Sequence, residues 1–259
     1  MPKWFQSKVL EKKVWTDGLF TLSIDGSGVK EFSPGQFLHL AGFPKGIADD
    51  ADEAAREKAR VNRPYSVASP HGEALEFFIV RVDDGELTPH LWNLEAGDEI
   101  EVSEKAAGRF TLEKTPDAEN LWLIATGTGL APYVAMLRTE EPWKRFRKIA
   151  VVHGVRHAND LAYTEELKQL EQQRDGAFKL VQALTRESAP GALEGRIPSL
   201  VESGVLEEQA GFQMTKEGSA VLLCGNPAML DSMEEVLGKR SMIKHRSKAP
   251  GQIVLERYW

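Results

Sequence analysis

The sequence predicts two dissimilar domains, an amino-terminal antiparallel β-barrel followed by an α/β domain built on a mostly parallel sheet. Three observations carry this. The chain has 259 residues, comfortable for two cores of ordinary size. Its first part reads as short apolar runs of strand character separated by Gly, Pro and Asp, the pattern of an antiparallel barrel or sandwich. After Pro116 strands alternate with helices, and that alternation produces a parallel sheet with helices on both faces. The boundary is set between residues 115 and 116, giving domains 1–115 and 116–259.

In the first domain the expected strands are Ser7 to Trp15, Leu19 to Ile24, Gln36 to Leu40, Tyr65 to Ala68, Leu75 to Val82, Glu99 to Val102 and Arg109 to Leu112. One helix interrupts them, with Thr88 as amino cap and Pro89 at its first position. Ile47 to Arg60 is rich in Ala, Asp, Glu, Arg and Lys without a wide apolar stripe. It reads as a solvated helical excursion or a mobile loop.

In the second domain Leu121 to Ala125, Ile149 to His153, Phe178 to Leu184 and Ala220 to Cys224 are apolar strands. Leu161 to Gln173 and Pro227 to Lys239 carry helical patterns. No repeat or low-complexity tract stands out.

Composition narrows the function classes. With 42% hydrophobic and 27% charged residues the chain is globular. Its net charge of −7 argues against general binding to nucleic acid or anionic membranes. Local basic clusters remain, at Lys144, Arg145, Arg147 and Lys148, and from Lys239 to Lys248. The single Cys224 excludes an internal disulfide and an iron–sulfur cluster, which needs about four thiolates. No metal site is expected. Met1 to Phe5 lacks a signal-peptide layout, and the apolar stretch Leu121 to Leu137 is broken by Gly and Thr. A cytoplasmic location is the default expectation.

The chemistry-bearing residues fall at strand ends. Arg63-Pro64-Tyr65-Ser66 packs a cation, an aromatic and a hydroxyl into four residues, a set that can hold a phosphate-bearing, flat heterocycle. Tyr65 alone equally suits a half-buried strand position. In an open parallel sheet ligands bind beyond the carboxyl ends of the strands. There lie Gly127-Thr128-Gly129, Arg156, Thr185-Arg186 and Cys224-Gly225-Asn226-Pro227. Gly127 and Gly129 leave room for backbone N–H groups to approach a phosphate. Asn226 can cap a helix starting at Pro227. Cys224 on its own is as readily a small buried hydrophobe, and with no matched base evident it is not expected to act as a nucleophile. Two terminal aromatics, Tyr258 and Trp259, need something to pack on.

The succession of Arg63-Pro64-Tyr65-Ser66, Gly127-Thr128-Gly129-Leu130-Ala131-Pro132, Cys224-Gly225-Asn226-Pro227 and Tyr258-Trp259 resembles the plant-type ferredoxin–NADP reductase family, specifically its bacterial branch. The resemblance spans nearly the whole chain. It implies a FAD-binding barrel followed by a Rossmann-like NADP-binding domain. In the flavin site it places Arg63 at the pyrophosphate, Tyr65 on one ring face, Ser66 near N5, Glu86, Leu87 and Thr88 near the phosphates, and Thr128 on the flavin side of the junction. Tyr258 is implied on the second ring face and Trp259 on the adenine. The family's 2′-phosphate sites match Val155-Arg156, Thr185-Arg186 and Gly195-Arg196, favouring NADP over NAD. Gly127, Gly129, Cys224, Gly225 and Asn226 are implied in nucleotide binding, with Cys224 bordering the nicotinamide. Ser66, Cys224, Glu256 and Tyr258 are the implied catalytic set. The Ile47 to Arg60 insertion departs from the compact members.

The resemblance implies a hydride passing from NADPH to FAD N5, then single electrons passing to ferredoxin or flavodoxin. These carriers are typically acidic and would dock on a local basic surface, the reductase acting as a monomer. Three rivals stay open: a flavin reductase component of an oxygenase system, a non-catalytic flavin/NADP redox-sensing protein, and a pyridine-nucleotide binder without flavin.

Overall fold

The structure, a computed structural model, describes residues 3–43 and 60–258. Trp259 and the expected excursion from Ile47 onward, apart from Arg60, lie outside the described residues. The chain folds into two compact units, Met1–Thr111 with Val134–Arg138, and Leu112–Tyr133 with Thr139–Trp259.

The first unit is a six-stranded sheet in the order β4-β3-β6-β1-β2-β5. Its strands are β1 (Trp4–Thr16), β2 (Leu19–Ile24), β3 (Phe37–Gly42), β4 (Val61–Ser66), β5 (Leu75–Val80) and β6 (Glu99–Ser103). Every neighbouring pair is antiparallel. Beyond β4 the chain turns onto β5: Val67 bridges Phe77, and Ala68 N–H donates to Glu76 O at 2.8 Å. That link nearly closes the sheet into a barrel. Phe20, Leu22, Leu38, Leu40, Phe77 and Val102 are fully buried inside, which is the alternation the strands require.

Three sequence expectations differ here. The strand expected over Tyr65 to Ala68 is instead Val61–Ser66, because its pairing with β3 runs back to Val61 opposite Gly42. Arg109 to Leu112 forms no strand; Leu112–Lys114 is a 3₁₀ turn. Ala107 already takes both backbone bonds of Phe37, at 2.9 Å each, and Gly108 at φ 103° then turns the chain away. Helix α1 (Thr88–Asn93) exists, yet its cap position is Leu87 and not Thr88. The Thr88 hydroxyl is occupied elsewhere, accepting Val82 N–H at 2.9 Å and lying 3.1 Å from Val82 O.

The second unit holds a six-stranded sheet in the order β10-β9-β8-β7-β11-β12. Its strands are β7 (Asn120–Thr126), β8 (Lys148–Val155), β9 (Phe178–Leu184), β10 (Ala192–Glu194), β11 (Ser219–Gly225) and β12 (Ile253–Arg257), and all pairs are parallel. Helix α2 (Ala131–Leu137) begins in this unit, and its residues from Val134 on are counted with the first; the further helices of the second unit are α3 (Glu141–Arg145), α4 (Thr164–Gln173), α5 (Ile197–Glu202), α6 (Val205–Ala210) and α7 (Pro227–Lys239). Strands buried on both faces read as continuous apolar runs, and every residue of β11 is buried. Helix α4 starts at Thr164, later than expected, because Tyr163 before it is left-handed at φ 58°.

The chain enters this sheet at β7, runs outward through β8, β9 and β10, then returns to add β11 and β12 on the other side. Strand order therefore reverses between β7 and β11, and such a switch point leaves a crevice at the carboxyl ends. No helix among the described residues is long and apolar enough to cross a membrane.

Candidate functional site

In the first unit the candidate residues lie on β4 and around the start of α1. Arg63 stands opposite Leu40, Tyr65 opposite Leu38 and Ser66 opposite Phe37. Residues two apart on a strand lie on one side of it, so Arg63 and Tyr65 project together. Tyr65 packs partly against the barrel core. Burial pushes its hydroxyl up to about 12, against the opposing charge of Arg63, and the ring stays neutral at physiological pH. Ser66 is buried. The Arg63 guanidinium pairs with the Glu86 carboxylate and donates to Asn62 O at 2.8 Å. Leu87 is buried, anchoring the α1 entry.

In the second unit every strand ends in a candidate residue. Across the sheet these are Arg196 beyond β10, Thr185-Arg186 beyond β9, Val155-Arg156 at the end of β8, Gly127 to Gly129 beyond β7, Cys224 to Asn226 at β11, and Glu256 with Tyr258 at β12. At about 4.8 Å between strands, the row spans on the order of 24 Å.

The three arginines occupy one wing. All are exposed, and none has a side-chain ion pair among the described residues. Their loops are tied by backbone bonds: Thr185 N–H to Val155 O and Arg186 N–H to Arg156 O, both 3.1 Å, and Gly195 N–H to Leu184 O at 2.8 Å. Glu187, which the sequence reading missed, clips two of these loops together. Its carboxylate accepts Ala158 N–H and faces His157 Nδ1 at 3.5 Å. The Ala158 hydrogen bond holds that carboxyl below its ordinary value.

At the centre the glycines divide their work. Gly127 takes φ 54° with open space where a Cβ would be. Gly129 does not face open space: a Cβ there would lie 2.5 Å from Cys224 O. Its missing side chain lets the turn seat on the end of β11. Gly225, at φ 130°, would clash with Thr126 Oγ1 at 2.3 Å. That same hydroxyl accepts Asn226 N–H at 2.9 Å. Asn226 caps α7 as expected, accepting from Ala228 N–H at 2.9 Å and Met229 N–H at 3.4 Å.

On the other wing Cys224 stands opposite Glu256. Burial pushes the thiol pKa well up, the Glu256 charge adds to it, and a hydrogen bond with Tyr258 opposes both. Tyr258 N–H also donates to Gly225 O at 3.3 Å. Beneath them Tyr133 is fully buried, its hydroxyl 2.7 Å from Leu222 O and 3.1 Å from Ile124 O. Tyr133 and His153 were absent from the sequence-level candidates. For His153 a signal existed, a lone imidazole in the apolar run from Ile149 to Val155.

Two further features bound the chemistry. A cleft of about 540 Å³ lies near the start of β11, lined by residues such as Glu207, Thr215, Lys216 and Arg240, and contains none of the candidate residues. Among the described residues no group of three or more His, Cys, Asp or Glu is placed to hold a metal ion.

Comparison with known proteins agrees with this geometry. The family described as oxidoreductase NAD-binding domain matches residues 123–235. The chain is 41% identical to the flavodoxin/ferredoxin–NADP reductase of Escherichia coli K12 over the whole of both chains. It is 35% identical to the ferredoxin–NADP reductase of Azotobacter vinelandii, covering 96% of this chain and 95% of the relative. A solved ferredoxin NADP+ reductase from Neisseria gonorrhoeae with bound FAD and NADP superimposes with a TM-score of 0.88 at 28% identity, covering 99% of both chains. The full-length identity and the row of motifs along the sheet edge together establish that this chain belongs to the flavodoxin/ferredoxin–NADP reductase family.

Proposed function

We propose that the protein is a FAD-dependent reductase exchanging electrons between NADP(H) and a flavodoxin or ferredoxin. The observation that carries it is the order along the second sheet: exposed arginines without ion pairs among the described residues, then an open glycine turn, then a buried thiol that stands opposite Glu256 and is hydrogen-bonded to Tyr258. A dinucleotide has the matching order of a terminal phosphate, a pyrophosphate and a flat reactive ring. When bound, FAD supplies the two-electron to one-electron conversion, taking a hydride at N5 and releasing electrons singly.

The chain's own residues bind, orient and exclude. Arg156, Arg186 and Arg196 neutralise the 2′-phosphate, since planar guanidinium forks match its oxygens. Gly127 leaves its turn open to the pyrophosphate. Val155, Thr185, Gly225 and Asn226 supply the loop backbone between these groups. Cys224 stays protonated and shapes the nicotinamide end without acting as a nucleophile.

For the flavin we assign Arg63 to the pyrophosphate and Tyr65 to stacking, with Ser66 beside the ring. An exposed ion pair is worth little, about 0–1 kcal/mol, so Glu86 can orient Arg63 and yield it to a phosphate. Residues 1–115 are thereby the flavin domain and 116–259 the nucleotide domain. Thr128, Tyr258 and Trp259 are assigned to the flavin on the resemblance. We place the reductase in the cytoplasm as a monomer.

The test is an anaerobic absorption spectrum of the purified protein with NADPH or NADH, followed by addition of flavodoxin or ferredoxin. Flavin bands bleached preferentially by NADPH and restored by the carrier are expected. A colourless protein, or bleaching with no transfer to either carrier, overturns the proposal.

A further inference from the structure

We infer that His153 is the positioning residue of the nucleotide turn, fixing Gly127 through a buried hydrogen bond so that the next backbone N–H faces the bound phosphate. The inference rests on the proposed nucleotide reading of that turn.

His153 lies near the end of β8, opposite Ala125 of β7, and is 1% exposed. Its Nε2 is 3.0 Å from Gly127 O. A carbonyl only accepts, so Nε2 carries the proton and donates, and this fixes the neutral tautomer. Nδ1 is then a bare acceptor, buried with no hydrogen-bond partner among the described residues. A buried polar atom left without a partner is costly, whereas an aliphatic side chain of similar volume would carry no such penalty. On packing grounds alone an imidazole is a poor choice here. What it provides beyond an aliphatic residue is the bond to Gly127.

That bond acts on the turn through peptide geometry. In a trans peptide the C=O of one residue and the N–H of the next point in opposite directions. With Gly127 C=O held toward the buried His153, Thr128 N–H is directed away from it, out of the sheet. As the first-turn donor of a 3₁₀ segment, Gly127–Leu130, it has no acceptor within that segment. Gly127 itself has nothing within 4 Å of its Cβ position, so no side-chain packing there fixes its left-handed conformation. The His153 bond supplies that constraint.

The test compares NADP+ affinity and melting temperature in the flavin-loaded protein for His153→Leu, His153→Met and His153→Gln. Gln reaches the Nε2 position with an N–H donor, whereas Leu and Met fill the space without one. Leu is expected to keep or raise the melting temperature while weakening NADP+ roughly tenfold, and Gln to restore most of the affinity. Unchanged affinity in Leu overturns the inference. So does an affinity loss that follows the melting temperature and is not rescued by Gln. Should Leu fail to fold, Met against Gln decides by the same criteria. Failure of the wild-type protein to bind NADP+ would instead remove the functional reading beneath it.

Discussion

Glu256 stands directly across from Cys224 in the parallel register of the last two strands. Burial first, and the Glu256 charge second, push the Cys224 thiol well above its ordinary value. The only sulfhydryl of the chain is therefore a protonated, enclosed group at neutral pH. In the native protein it should resist iodoacetamide at pH 8 and react at the rate of a free thiol only after unfolding. Cys224→Ala should keep the fold, with a loss of about 1 kcal/mol for the vacated volume, and slow flavin reduction by NADPH. Native-state alkylation as fast as that of a model thiol would refute the enclosure.

The arginine wing makes a prediction of specificity. Arg156, Arg186 and Arg196 lie on loops after three adjacent strands, exposed and without ion pairs among the described residues. Replacing Arg156 or Arg186 by Ala should raise KM for NADPH by about 10- to 100-fold, as expected for a lost charge-assisted bond of about 1.5–3 kcal/mol. KM for NADH should move less than about twofold, because that nucleotide has no 2′-phosphate for the arginines to hold. Steady-state kinetics with both donors checks this, and equal losses for both would remove the arginines from the 2′-phosphate.

Much of this site was legible because its signals are local. The change from strand runs to strand–helix alternation marked two architectures, and Asn226 before Pro227 marked a helix start that the structure realises. What the sequence concealed depends on contacts between distant segments. Gly129 looked like an opening for a ligand, yet its Cβ position is taken by Cys224 O, almost a hundred residues later. Thr88 had the chemistry of a cap, but Val82 claims its hydroxyl. Tyr133 sat in an apolar helical run, and only the pairing of β7 with β11 brings two carbonyls to its hydroxyl. Arg109 to Leu112 had strand composition, and it is the prior claim of Ala107 on Phe37 that denies it a ladder.

The Gly129 contact is itself testable. Ala at this position would bring Cβ to 2.5 Å from Cys224 O and 2.8 Å from its carbonyl carbon, both backbone atoms that cannot swing aside. Gly129→Ala should cost about 2 kcal/mol or more and displace the nucleotide turn, lowering both the denaturation midpoint and NADP+ affinity. Gly176→Ala is the control: φ is positive there, at 78°, but nothing lies within 4 Å, so only backbone strain of about 1 kcal/mol is expected. If the two variants lose equal stability, the close approach of the turn to β11 is wrong.

His153 also makes stability depend on pH. Burial lowers its pKa to about 4, the bond to Gly127 O only partly opposing this, whereas the unfolded chain has the ordinary value near 6.5. Between those values the unfolded state binds a proton that the native state refuses, and protonation therefore favours unfolding. The native advantage of the neutral ring is fully present above about pH 6.5 and declines as pH falls toward 4, by on the order of 3 kcal/mol in total. Urea denaturation across this window should show the decline, and His153→Leu should flatten it because no imidazole remains to titrate. The carboxyls of Glu187 and Asp231, held low by hydrogen bonds from Ala158 N–H and Arg257, are common to both proteins, so the difference between wild type and His153→Leu isolates the histidine. Parallel profiles for the two proteins from about pH 7 to pH 4 would mean that the ring is solvated and that its link to Gly127 does not hold in solution.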